Sequence, residues 1–168
     1  MAVDAVEQLS LDRLVFVPAS AQPLKLGAVQ ATPDQRLAMV ALLVEDDARF
    51  AVDPIEIERS GLSYSVETLA EYARREPYAD RFFIVGADVV RTFDKWREPD
   101  RVLALATLVV LTRDEGTVTV PEGALRLASR RVDVSSTEIR ARAAARRSLR
   151  GFVPERVADY IATERLYR

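Results

Sequence analysis

The chain contains no cysteine and no histidine. The first absence rules out a disulfide framework, a thiol nucleophile and any cysteine-ligated metal. The second excludes imidazole acid–base catalysis and histidine metal ligands within this chain. No apolar run approaches the roughly 18 residues of a membrane span. Only six glycines are present; neither a P-loop nor a Rossmann glycine fingerprint can be drawn, and no catalytic triad can be built. A formal net charge of −2 gives no reason to expect bulk binding to nucleic acid or to an anionic membrane. The opening Met1-Ala2-Val3-Asp4 has an early acid and no basic region, unlike a secretory signal. These absences point to a cytoplasmic protein.

What is present fits one domain over residues 1–168 with a sizeable core, at 49% hydrophobic and 30% charged residues. Val3, Val6 and Leu9 recur at helical spacing, so a helix is already under way at the first residues, without a capping residue before it. Leu14-Val15-Phe16-Val17, ended by Pro18, suits a buried parallel strand. Thr32-Pro33-Asp34-Gln35 opens a helix, with Thr32 as N-cap. Phe50 to Ile57 returns to β character, with Pro54 arguing for an edge or a bulge. Ser65 is expected to cap the following helix. Phe82-Phe83-Ile84-Val85 and Leu108-Val109-Val110-Leu111 read as strands buried on both faces, with a helical piece around Asp100 to Leu105 between them. Glu115 to Glu122 reads as a loop or a minor strand. Val132-Asp133-Val134 reads as a short strand leading into a helix that runs to about Arg147, and Pro154 starts a last amphipathic helix. Strands alternating with helices argue for an α/β fold with a mostly parallel sheet. Ligands of such folds bind beyond the C-terminal ends of the strands.

The stretch Ser135-Ser136-Thr137-Glu138-Ile139-Arg140 carries the clearest chemistry. Ser135 to Glu138 has capping-box spacing, with Ser135 or Ser136 at the N-cap. A helix start presents free N–H groups and the positive end of the dipole; Thr137 adds a hydroxyl and Arg140 a guanidinium. Together they suit an anion, most naturally a phosphate chain. An ordinary capped helix with a surface arginine accounts for the same spacing. Gly86 lets backbone approach a ligand, and Asp88 is placed to accept from ribose hydroxyls or to hold a helix start. Trp96, the only tryptophan, suits stacking on a flat ring as well as plain packing. Arg113 follows a strand where a phosphate would lie, although solvation explains it equally. The basic cluster Arg146, Arg147 and Arg150 reads more simply as a solvated helix end. Ser63-Tyr64-Ser65 at a helix start suits a carboxylate on backbone N–H groups, or a cap alone. The residues by themselves therefore indicate an α/β domain that binds a nucleotide.

The order and spacing of these pieces resemble the bacterial nicotinate-nucleotide adenylyltransferases of the nucleotidyltransferase α/β superfamily. The residues that carry the likeness are Leu14–Pro18, Ser63-Tyr64-Ser65-Val66-Glu67-Thr68-Leu69, Ile84-Val85-Gly86-Ala87-Asp88, Trp96, Val134–Arg140 and the closing Leu166-Tyr167-Arg168. The resemblance implies a Rossmann-like sheet with helices on both faces in a single domain. It implies transfer of AMP from ATP, with Mg²⁺, to nicotinate mononucleotide, giving nicotinate adenine dinucleotide and pyrophosphate in NAD biosynthesis. It assigns Ser135, Ser136, Thr137 and Arg140 to the ATP phosphates, with Arg140 as the charge-stabilising group. Asp88 would contact a ribose, and Trp96 would stack on the nicotinate ring with the Tyr64–Ser65 turn near its carboxylate. Lys25 and Arg113 would complete the nicotinate-nucleotide side. The partners implied are these two nucleotides, without nucleic acid or membrane, and a homo-oligomer is compatible with the pattern.

The likeness has gaps. The family opens with a central strand, a Gly-Gly-x-Phe-x-Pro loop and His-x-Gly-His at the first helix; Met1 aligns just inside that helix, and Leu24 stands where a histidine precedes the basic residue. The expectation is a start placed downstream of the family's first strand and a chain of impaired activity. Two alternatives stand beside the main reading. One is a non-catalytic nucleotide-binding domain; the other is an adenylyltransferase acting on nicotinamide mononucleotide or phosphopantetheine.

Overall fold

The computed structural model describes residues 1–21, 31–112, 119–128, 130 and 133–168. They form two compact units, each made of two separate stretches of chain: 1–12 with 63–131, and 13–62 with 132–168.

The first unit is organised on a three-stranded parallel sheet, β3 (Phe82–Gly86), β4 (Thr107–Thr112) and β5 (Leu125–Ala128), in the order β3-β4-β5. Phe82 faces Thr107 and Gly86 faces Leu111; Val109 faces Leu125. The middle strand β4 has Leu108, Val109 and Val110 all buried, the both-sides burial that its unbroken apolar run predicts. The helices are α1 (Ala2–Leu9), α4 (Ser65–Arg75), the short α5 (Ala87–Val90) and α6 (Pro99–Leu105). Val66 and Leu69 of α4 and Val102 of α6 join Val85, Leu108 and Val110 in one apolar cluster that also takes Phe93. Full burial of a side chain such as Leu108 contributes about 1.5–3 kcal/mol.

The second unit pairs β1 (Leu14–Phe16) with β2 (Phe50–Val52), again in parallel, with Leu14 opposite Phe50. Its helices are α2 (Pro33–Val44), the short α3 (Ile55–Arg59), α7 (Ser136–Ala144) and α8 (Glu155–Thr163). Ala143, Leu149, Val157, Ile161 and Leu166 form its core, with Met39, Leu42, Ile139 and Tyr167 packed on the outside. Arg156 of α8 pairs with Glu45 and Asp46 at the end of α2. All described strand pairs are parallel. Among the described residues, no helix is long and apolar enough to cross a membrane.

Three expectations of element placement are corrected. The β segment expected over 50–57 stops at Val52, because Asp53 turns the chain: its Oδ1 accepts from Ile55 N at 2.9 Å and opens α3. Tyr64, not Ser65, is the N-cap of α4, and its side chain makes no capping hydrogen bond. Asp133 and Val134 belong to no strand. The strand lies earlier, at Leu125–Ala128, where Leu127 alone is buried. Thr32 caps α2 as expected, in a reciprocal capping box: Thr32 Oγ1 accepts from Gln35 N at 3.2 Å and Gln35 Oε1 accepts from Thr32 N at 3.0 Å.

Candidate active site

In the first unit the predicted residues gather around the C-terminal end of β3 and the start of α4. Gly86 ends β3 and is the N-cap of α5, with φ −76° and ψ 154°, a backbone any residue adopts. It is glycine for another reason: a Cβ there would lie 2.6 Å from Asp88 Oδ1. The bare backbone lets the exposed Asp88 carboxylate fold back over the end of the strand. Trp96 is half-buried, tilted against Phe93 at 5.2 Å and edge-on to Phe83 at 6.0 Å between ring centroids. These contacts lock the indole in place through the core cluster beneath it.

Tyr64 packs against the same cluster and turns the chain into α4. Glu67 N and Thr68 N reach Tyr64 O at 3.0 and 3.4 Å. The Ser65 and Val66 N–H groups stand ahead of them at a helix end with no side-chain cap, where the dipole favours an anion. Arg97, beside Trp96, donates from Nη1 to Glu67 Oε1 at 2.7 Å and lies over the Tyr64 ring at 4.8 Å.

In the second unit, Ser135 is the N-cap of α7, settling the choice between Ser135 and Ser136. Its Oγ accepts from Glu138 N at 3.1 Å. Ser135, Ser136 and Thr137 are exposed, and the Ser136 and Thr137 N–H groups lie at the helix end. Arg140 sits one turn in, half-buried, with Nη2 at 3.5 Å from Thr137 Oγ1. Hydroxyls, N–H groups and a guanidinium thus stand together on one helix start. Burial pushes the Tyr167 phenol above its ordinary pKa, against the pull of the nearby Arg140 and Arg36 charges. Arg36 donates to Ala19 O and Ser20 O, at 2.5 and 2.8 Å, while its buried Nε has no hydrogen-bond partner among the described residues.

Lys25 and Arg113 lie outside the described residues. The structure adds Glu67, Arg97 and Arg36 to the residues singled out by sequence. Glu67 and Arg97 flank Tyr64 and Trp96 in the chain, which was the available hint; Arg36 gave no hint beyond its place on an amphipathic helix.

The profile of the cytidylyltransferase-like family matches residues 1–142. Over the whole chain and 84% of its own length, a probable nicotinate-nucleotide adenylyltransferase of Gemmatimonas aurantiaca is 48% identical. One from Thermus thermophilus is 40% identical over 99% of the chain and 89% of its own. A solved Plasmodium falciparum nicotinic acid mononucleotide adenylyltransferase, complexed with NaAD, superposes with a TM-score of 0.78 at 14% identity, covering 99% of this chain and 88% of that one. That likeness establishes the fold. The relatives' identity and reach, added to the family profile, establish descent: the chain belongs to the nicotinate-nucleotide adenylyltransferases of the cytidylyltransferase-like family.

Proposed function

We propose that this protein transfers AMP from ATP to nicotinate mononucleotide, yielding nicotinate adenine dinucleotide and pyrophosphate in cytoplasmic NAD synthesis. The observation that carries the reading is the 48% identity to the Gemmatimonas relative along the entire chain. The 5′-phosphate oxygen of nicotinate mononucleotide attacks the α-phosphorus of ATP, and the bond to the β,γ-pyrophosphate breaks. No group on the protein becomes covalently attached. The work left to the chain is positioning and charge stabilisation.

In this reading Ser135, Ser136 and Thr137 receive the ATP phosphates at the start of α7, and Arg140 meets the charge that develops on them. Asp88 accepts from ribose hydroxyls. Trp96 stacks on the pyridine ring, whose carboxylate takes the Ser65 and Val66 N–H groups beyond Tyr64. Lys25 and Arg113 complete the acceptor side. Among the described residues no three acidic side chains stand close enough to hold a metal. Mg²⁺ enters in this reading as part of the ATP substrate, held by phosphate oxygens and water.

The chain offers no histidine to the triphosphate. Loss of one such donor lowers a rate by about 10²–10³, so turnover is expected to be slow. The test is pyrophosphate release by the 168-residue chain given ATP, Mg²⁺ and either nicotinate or nicotinamide mononucleotide. Release that is faster with the nicotinate substrate supports the proposal. Absence of release, together with absence of thermal stabilisation by nicotinate mononucleotide, rejects it.

A further inference from the structure

Arg97 is exposed and makes more contacts than a solvated arginine needs. Its Nη1 bonds Glu67 Oε1 at 2.7 Å, its Nε lies 3.7 Å from Glu98 Oε1, and its guanidinium carbon is 4.8 Å from the centre of the Tyr64 ring. Glu67 is the third residue of α4, whose N-cap Tyr64 provides no side-chain bond. A carboxylate at that position is drawn back toward the open N–H groups of its own helix, as in the reciprocal half of a capping box. There it would take the donors, and set a negative charge in the place, that a ligand carboxylate requires.

We infer that Arg97 is a specificity-determining and positioning residue: by holding Glu67 aside against Tyr64, it keeps the start of α4 open to a carboxylate and so favours an acidic pyridine ring over its amide. This rests on the acceptor assigned above to the Tyr64–Ser65 turn. The geometry suits the role. Arg97 follows Trp96 directly, so the clasp also ties the segment bearing the indole to the helix end. A neutral amide ligand feels little of the Glu67 charge, whereas a carboxylate feels all of it. A like charge brought beside a ligand carboxylate repels it even near the surface. A tenfold loss of affinity, about 1.4 kcal/mol, is the size expected of such a contact.

The experiment is calorimetric titration of the full chain with nicotinate mononucleotide and, separately, nicotinamide mononucleotide. Arg97→Gln is expected to raise Kd for the nicotinate ligand about tenfold, with the nicotinamide ligand within about twofold. The double variant Glu67→Gln/Arg97→Gln should recover most of the nicotinate affinity, because the repelling charge is gone. Arg97→Lys, which keeps the charge but not the fork, should fall between. Side-chain exposures of 51% for Arg97 and 36% for Glu67 keep the fold itself insensitive to these changes, checked by melting temperature. Equal weakening of both ligands, or a double variant no better than Arg97→Gln, overturns the inference. Wild-type protein that binds nicotinate mononucleotide, beside an Arg97→Gln variant that binds it equally well, overturns the inference alone. Wild-type protein that binds neither ligand overturns the acceptor assignment and the inference with it.

Discussion

Replacing Gly86 by alanine separates function from stability in a way that few single changes here can. The backbone at Gly86, φ −76° and ψ 154°, accepts alanine without strain. Such a change stabilises a protein by about 0.4–1 kcal/mol through the unfolded chain. Against this stands the new methyl, 2.6 Å from Asp88 Oδ1 and 3.8 Å from its Cγ. The atom met is the end of an exposed side chain, so the carboxylate swings away at a cost of about 0.5–1.5 kcal/mol. The two effects leave a net change within about 1 kcal/mol, or roughly 2–4 °C in Tm for a chain of this length. Ligand binding has no such compensation. If Asp88 accepts from ribose hydroxyls, displacement of its carboxylate loses a charged hydrogen bond of about 1.5–3 kcal/mol, roughly 10- to 150-fold in Kd. Calorimetric titration with nucleotide, alongside thermal melting, reads both quantities. Asp88→Ala sets the ceiling, and the double variant should be no worse than Asp88→Ala, because both act on one carboxylate. A Gly86→Ala protein with wild-type affinity, or a double variant with the sum of the two losses, would refute the reasoning.

Two further outcomes follow from local chemistry. Thr32→Ala removes the Oγ1 half of the α2 cap and should cost about 1 kcal/mol, seen as a lower Tm, whereas Thr32→Ser keeps the hydroxyl and should melt near wild type; a Thr32→Ala protein that melts with wild type would show that the cap bond is idle. Arg74 and Arg75 hold the Glu71 carboxyl at about 2, below its ordinary 4.5, and Arg49 holds Asp47 at about 2, below 3.8. Lowered folded values mean that the stabilisation is fully present above about pH 5 and is lost as pH falls toward 2. A Tm-against-pH series should therefore show wild type and Glu71→Gln converging across that window, less steeply in high salt because both groups are exposed. A gap between the two curves that persists below it would count against the ion pairs.

The strands at Leu14, Phe82 and Leu108 were legible as unbroken apolar runs, although the expected full burial holds for Leu108–Val110 and not for Leu14–Phe16, which is half-buried, or for Phe82–Gly86, where Val85 alone is buried; α2 was legible because its capping box is written in four consecutive residues. β5 escaped because only Leu127 of Leu125–Ala128 is buried, so no run and no clean alternation marks it. The boundary at Val52 was hidden because Pro54, read as a mark of an edge or a bulge, is instead the N-cap of α3, with the Asp53 side chain accepting from Ile55 N. The grouping of hydroxyls, N–H groups and a guanidinium over Ser135–Arg140 was visible since its parts lie within one helical turn and a half. The Glu67–Arg97 clasp was not: its members are 30 residues apart, and local periodicity carries no information about such a meeting.

The interleaving of the two units bears on how the protein comes into being on a ribosome. Neither unit is continuous: one takes residues 1–12 and 63–131, the other 13–62 and 132–168. The segment 1–12 must wait through some fifty residues of the other unit before its own partners are made. Helix α2 waits longer still, since Arg156, the residue that clasps Asp46 at its end, lies 110 positions downstream. Each described strand pair is parallel and so closes a long loop. The β3-β4-β5 sheet can form once 63–131 has been made and the β1-β2 pair once 13–62 has, but neither unit is complete until its second stretch of chain follows its first. Met39 and Leu42 of α2 therefore stay uncovered until Val157 and Ile161 of α8 have been made, an apolar face that the growing chain must keep from associating.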